Sequence, residues 1–316
     1  MKPLIDKLNV YNKKFEDFFE GNPSNLGKIY MFIATIFGTI GVFAAKASKC
    51  PSLNTILFFR AFITCQLSYR IVQATGVKTI GSVDFIKRIA IRSIIGTTIT
   101  YLFQKGLMHL PMKEFTTLFN TQPIFTFWLS LYFLNETFHR DKLICTIITI
   151  LGIALIVNPN YIYLDFSDGV EKDEMFYFSV ILVLISAALK GVVIIIVKTI
   201  NSASPFQNLL YFEAFRMTIG ALGYVFYGDA FMPQSSRELL LLALSTLSEY
   251  TYHVFSILSL RYVTASLVAI METLTVLFGF LIDLFYYDEP LYFGSLVGTI
   301  MVVGSSFYLT RIKDTN

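Results

Sequence analysis

Stretches without a single charge recur along this chain, and each is long enough to cross a lipid bilayer. No Asp, Glu, Lys or Arg occurs between Lys28 and Lys46, Glu114 and Glu136, Lys142 and Asp165, or Glu289 and Arg311. At 1.5 Å per residue, about twenty helical residues span the ~30 Å of hydrocarbon. The runs are continuous and do not alternate, which fits helices and not barrel strands, because a helix satisfies every backbone N–H and C=O inside its own segment. Adding the runs that carry ionisable residues predicts ten spans, at 29–47, 53–74, 88–108, 112–134, 142–159, 175–199, 205–227, 238–260, 262–285 and 290–310. The expected fold is an all-α integral membrane protein.

Composition agrees and removes other classes. Hydrophobic residues make up 55% and charged residues 15% of the chain, against about 25% charged in soluble domains, and mean hydropathy is +0.62. A formal charge of +3 with no basic stripe argues against a nucleic-acid partner. Cys50, Cys65 and Cys145 show no paired or metal-ligand spacing, and His109, His139 and His253 are scattered, so neither a metal nor another cofactor is expected. The tail 1–26 is too polar to hold a signal-peptide core. Within it Leu4, Ile5, Leu8, Tyr11, Phe15, Phe18 and Phe19 follow a helical period up to Gly21-Asn22-Pro23-Ser24, which predicts an amphipathic helix on the cytoplasmic interface. Lys and Arg concentrate in the loops that are interior when the N-terminus is cytoplasmic, while the loop 160–174 is acidic. Both termini, including the tail 312–316, are therefore expected in the cytoplasm. The C-terminal RIKDTN carries no retrieval motif, which leaves plasma membrane and endomembranes both open.

The chain also repeats itself. Residues 27–159 resemble 175–311 at an offset of about 152–156 residues. GVFAAKAS (41–48) faces GVVIIIVKT (191–199), FFRAF (58–62) faces AFRMT (214–218), and NETFHRDKLICTIITILGIALI (135–156) faces YDEPLYFGSLVGTIMVVGSSFY (287–308). Each repeat holds five spans, an odd number, so the second copy must enter the membrane from the opposite side. Inverted repeats of this kind build two bundles around a midplane site that opens to either face.

This layout resembles the EamA-type ten-span carriers of the drug/metabolite transporter superfamily, most of all the solute carrier 35 group G branch. The residues that carry the resemblance are the Lys46 end of span 1, Phe58-Phe59-Arg60, and LPMKEFTTLFNTQPIFTFWLSLYFLNETF (110–138). In that last stretch Pro123 is followed by Glu136 and then Gly152; Glu289 and Gly304 take the matching places in the second copy, with Val276 where the proline would fall. The resemblance implies that spans 1–4 and 6–9 surround the cavity while spans 5 and 10 support it or dimerise.

A charge at the bilayer centre costs about 2.5–3.5 kcal/mol, so Arg60, Lys190, Arg216, Glu249 and Glu272 are the leading substrate-binding residues. Arg60 and Arg216 occupy equivalent positions, either to grip a phosphate or carboxylate or to tie their spans to neighbours. Glu249 and Glu272 either exchange protons or neutralise Arg216 and Lys190, and Glu213 is spaced to pair with Arg216 on one helical face. Gln104, Gln122, Tyr250 and Tyr252 can line a cavity for a polar organic ligand. Lys46 and Lys198 stand near span ends, where they either snorkel to headgroups or gate the substrate. His253, one turn past Glu249, either relays protons or packs as a polar group. Gly294 and Gly298 form GxxxG, for close packing inside the fold or in a homodimer, and Pro123 interrupts the ladder of span 4. The expected function is a secondary carrier working by alternating access on a small polar metabolite. That solute is anionic or zwitterionic: a nucleotide sugar, organic phosphate, amino acid or related compound. The alternatives are an integral membrane enzyme, which would want a clustered His/Asp or Asp/Glu motif, and a non-transporting membrane regulator.

Overall fold

The computed structural model describes residues 23–47, 53–76, 83–109, 118–137, 139–157, 174–200, 204–227, 235–286 and 293–311. The amphipathic helix expected in the tail 1–26, nearly all of the acidic loop 160–174, and the tail 312–316 lie outside the described residues. What is described is helical: α1 (Pro23–Ala47), α2 (Leu53–Thr75), α3 (Val83–His109), α4 (Gln122–Phe133), α5 (Arg140–Val157), α6 (Glu174–Thr199), α7 (Pro205–Tyr227), α8 (Ser236–Tyr262), α9 (Ala265–Glu272), α10 (Leu274–Tyr286) and α11 (Phe293–Arg311).

The helix ends follow local chemistry. Gly76, at φ +68°, stops α2 in the left-handed conformation that glycine adopts at least cost. Ser235 is an extended N-cap whose hydroxyl accepts the Glu238 N–H at 3.2 Å, so α8 opens on a Ser-x-x-Glu pattern. Thr264, the N-cap of α9, makes no such bond; its hydroxyl accepts from Lys142 Nζ at 3.1 Å. The Glu136 carboxylate takes over the capping, accepting from Ala265 N and from Ser266 Oγ, each at 2.7 Å. An anion there also meets the positive end of the helix dipole.

Two helices are interrupted in the same way. Pro123 stands in the first turn of α4, where its missing N–H removes no helical bond, so it begins this helix instead of bending it. Just before it, Thr121 N and Oγ1 both donate to Leu118 O, and Ile124 N donates to Thr121 O. The stretch read as span 9 divides into α9 and α10 with the same three bonds: Thr273 N and Oγ1 to Ile270 O, and Val276 N to Thr273 O. This register sets Thr275, not Val276, opposite Pro123.

The chain forms two compact units, Met1–Thr97 with Ile196–Val263, and Thr98–Ile195 with Thr264–Asn316. In the first, α1 packs along α8 and α2 along α7; in the second, α5 packs along α11 and α4 against α9. Every one of these pairs joins an element from the first half of the chain to one from the second. Close approach needs small residues. A Cβ at Gly220 of α7 would lie 2.7 Å from the Phe58 backbone nitrogen of α2, and one at Gly152 of α5 would lie 2.8 Å from the Gly298 carbonyl of α11. Gly298 thus serves packing inside its own unit.

Polar side chains are buried beside the apolar core, and many large apolar side chains face outward. Thr35, Ser68, Arg92, Thr126, Ser130, Glu213 and Arg216 are buried, while Ile91, Ile94, Val225, Phe226 and Ile300 are exposed. Among the described residues, Pro23–Ala45, Tyr177–Thr199 and Pro205–Phe226 are long and apolar enough to cross a membrane by length and composition. Helices α2, α3 and α8 carry Arg60, Arg92 and Glu249 among their apolar residues, and such inward-facing charges lower hydropathy without exposing charge to lipid.

Gly220→Ala is expected to lower the stability of the detergent-purified protein by about 1–3 kcal/mol, as overpacking does. Gly279→Ala, where an added Cβ meets nothing within 4 Å, leaves the thermal unfolding midpoint essentially unchanged. The pair of melting curves checks the helix contact directly.

Candidate functional site

The deep charges of the first unit converge where α2, α7 and α8 meet. Arg60 comes from α2, Glu213 and Arg216 from α7, and Glu249 and His253 from α8. The two oxygens of Glu249 take different partners. Oε2 pairs with Arg60 Nη2, and Oε1 lies 3.4 Å from Arg216 Nη1 and 3.7 Å from His253 Nε2. Arg216 Nη1 also reaches Glu213 Oε1 at 3.3 Å, the pairing anticipated from their three-residue spacing. Arg60 donates further to the Ser245 carbonyl at 3.3 Å. Gly41 lets α1 press onto α8 at this level, since a Cβ there would lie 3.3 Å from Glu249 N.

These residues line a cleft of about 10 Å³, formed by Arg60, Thr64, Glu213, Arg216, Thr246, Glu249 and Tyr250. That is about the space of one water molecule, against about 300–1,000 Å³ for small-molecule pockets, so a solute enters only as the paired side chains give way. Tyr250 is held by a 2.9 Å hydrogen bond between its hydroxyl and Ser68 Oγ. The side chains of Arg216 and Glu213 are 4% and 2% exposed, whereas that of Glu249 is 29% exposed. The carboxylate a solute can reach is therefore the one that bridges the two arginines. A guanidinium binds carboxylate and phosphate alike through paired N–H donors.

The second unit holds a separate group. Lys190 Nζ lies 3.0 Å from Glu272 Oε1, and Gln122 Nε2 donates to Glu272 Oε2 at 3.2 Å. Glu272 is the last residue of α9, and Gln122 the first of α4, so both stand at the helix interruptions described above. In the membrane, such ends leave backbone groups that polar side chains must satisfy.

The remaining residues singled out from the sequence fall elsewhere. Lys198 Nζ donates to the Leu260 and Val263 carbonyls at 2.7 and 2.6 Å, closing the C-terminal end of α8 instead of extending toward headgroups. Tyr252 is buried, its ring centroid 5.0 Å from that of His253. Lys46 and Gln104 lie on α1 and α3, with side chains outside the described residues. Gly294 is buried on α11.

Sequence reasoning passed over Arg92 on α3. It is 3% exposed, and its guanidinium lies 4.0 Å from the centroid of the Phe212 ring. Arg216 lies over the same ring at 5.2 Å, and the His253 ring meets it edge-on at 5.9 Å. Gly96, one turn past Arg92, makes room: a Cβ there would sit 2.6 Å from Phe212 Cε2. The available signal was an Arg one turn beyond Arg88, already inside span 3, followed four residues later by Gly96. Glu136 was visible only as part of a family pattern, and its capping role required the fold.

Comparisons with known proteins agree with this architecture. Residues 25–158 match the EamA-like transporter family. Solute carrier family 35 member G1 of Homo sapiens is 22% identical over 289 residues, covering 89% of this chain and 78% of that protein. The pseudopaline exporter CntI of Pseudomonas aeruginosa is 22% identical over 278 residues, covering 88% and 93%. A protein crystal structure superposes with a TM-score of 0.75 at 12% identity, over 91% of this chain and 99% of that one, which places the fold.

The Arg60–Glu249 interaction is expected to appear as a coupling free energy of about 0.5–3 kcal/mol in a double-mutant cycle with Arg60→Met and Glu249→Gln. Denaturation of the four proteins in detergent measures it. Additive single effects would mean that the pair is not formed.

Proposed function

We propose that this chain, whose residues 25–158 match the EamA-like transporter family, is a membrane transporter rather than an enzyme and moves a small polar metabolite by alternating access, with the Arg60–Glu249–Arg216 cleft as a substrate-binding site. The observation that carries this reading is a partly exposed carboxylate bridging two arginines inside a helical bundle with an apolar exterior. Glu249 occupies the arginines when no solute is present. An incoming carboxylate or phosphate replaces it and keeps the guanidinium groups neutralised, with His253, 3.7 Å from Glu249 Oε1, as the neighbour left to the displaced carboxylate. A zwitterion uses the same site, with Glu249 and His253 placed to receive its cationic end.

In this reading the ten spans form two inverted five-helix repeats. Support comes from helix pairs that join the two halves, from compact units that each draw on both halves, and from the interruptions at Thr121 and Thr273 with the same hydrogen bonds. Lys190, Glu272 and Gln122 form a second polar locus, set beside the broken ends of α4 and α9; discontinuous helices mark binding regions in other carriers. Lys198 acts at the α8 end through its two carbonyl bonds. Both termini lie in the cytoplasm, on the strength of the Lys and Arg distribution in the loops.

Purified protein in proteoliposomes is expected to show counterflow with at least one solute from a panel of organic acids, phosphate esters, nucleotide sugars and amino acids. Arg60→Ala and Glu249→Ala each reduce exchange at least tenfold while the protein remains monodisperse. Exchange of no panel member would sink the carrier reading. Unchanged exchange in both variants would remove the cleft from it. Inserted glycosylation sites mapping the two termini to opposite sides would overturn the topology.

A further inference from the structure

We infer that Arg92 sets the charge selectivity of the cleft, holding it one positive charge above neutrality so that the solute is taken as an oxyanion. This rests on the transport role proposed for the same cleft, and adds to it the charge of the solute and the residue that imposes it. The argument begins with a balance. Among the described residues, three guanidinium groups stand around the cleft, those of Arg60, Arg92 and Arg216, against two carboxylates, those of Glu213 and Glu249, with the His253 ring 3.7 Å from Glu249. The polar group of the second unit, by contrast, is matched, with Lys190 against Glu272.

Arg92 is the source of the excess. It is 3% exposed, and its Nε and Nη1 have no hydrogen-bond partner among the described residues. Its guanidinium lies over an aromatic ring, which attracts a cation but does not neutralise it. Glu213 Oε2 is likewise buried without a partner, but joining it to Arg92 would redistribute the charges and leave the same net positive value. A buried net positive charge is strongly unfavourable in a medium of low dielectric constant. It is tolerated where an anion arrives to complete the balance, and the cleft is where one can arrive.

Phe212 connects the two places. Arg216, which lines the cleft, and Arg92, which does not, lie over the same ring. Arg92 therefore acts on the solute through its field and through the position of Phe212 and Arg216, as a positioning residue and not as a direct ligand. A carboxylate or a phosphate group answers this chemistry equally, and a solute without an anionic group does not.

The test compares wild type with Arg92→Gln, Arg92→Lys and Arg92→Met in proteoliposomes. Counterflow is measured for carboxylates, for phosphate monoesters, and for neutral amides and alcohols of the same carbon skeletons. Wild type is expected to prefer the anions, Arg92→Gln to lose at least tenfold of that preference, and Arg92→Lys to restore most of it. In detergent, Arg92→Met melts no lower than wild type, because it removes the net buried positive charge. The rise in melting temperature that acetate or inorganic phosphate gives wild type disappears in Arg92→Met and Arg92→Gln. The solute series that is lost, carboxylate or phosphate, identifies the oxyanion. A wild type that favours neutral solutes, an Arg92→Gln variant that keeps its anion preference, or an Arg92→Met variant that melts lower each overturns the inference. Should wild type exchange no solute at all, the carrier reading fails, and the anion-dependent melting shifts alone still decide the role of Arg92.

Discussion

Glu249 is the residue on which the first unit turns. Among the described residues it is the one carboxylate that two arginines from two different helices share, and it is fixed by a third helix of its own. In water such a pair contributes little, because solvent screens it and its side chains lose freedom. Inside an apolar bundle, removal of one partner leaves the other as an unpaired buried charge, at a cost of several kcal/mol. The contact is therefore conditional: it holds while Glu249 pairs with both arginines, and it opens to an anion that takes its place. That combination serves a carrier, which must hold its empty state together and still release it when the solute appears.

The second unit meets the same constraint with a neutral solution. Glu272 uses one oxygen for an ammonium and the other for an amide, at the point where α9 ends. Glu136 performs a related task at the start of α9, receiving a backbone N–H and a hydroxyl. One short helix thus has a carboxylate at each end, the first bound to its opening amide and the second paired with lysine. The broken backbone and the buried acids accompany each other because unsatisfied N–H and C=O groups, like charges, need partners in hydrocarbon.

Much of this was legible beforehand, for identifiable reasons. The charge-free runs announced helices because length and periodicity are local properties. Arg60, Arg216, Glu249 and Glu272 stood out because a charge inside an apolar run has few innocent explanations. The Glu213–Arg216 pair could be read from helical spacing alone. Arg92 was missed because it lies near the edge of its run, where an arginine ordinarily reaches the interface; only packing shows it turned inward against Phe212. The division of span 9 was hidden because Thr273 is an unremarkable residue within an apolar stretch, and its hydroxyl bond to Ile270 O has a counterpart at Thr35 inside the unbroken α1. Which oxygen each arginine takes from Glu249 depends on contacts between distant parts of the chain, and no local pattern encodes that.

The exchange of helices between the halves has a consequence for how the molecule can be divided. Cutting the polypeptide in the acidic loop would produce two peptides, and neither would contain a whole unit, since α1 finds its partner in α8 and α5 in α11. Each fragment would insert with polar seams turned toward lipid, awaiting its counterpart. Made together in one bilayer, the fragments would complement one another and rebuild both units at once; made separately, they would be substrates for the cell's membrane proteases.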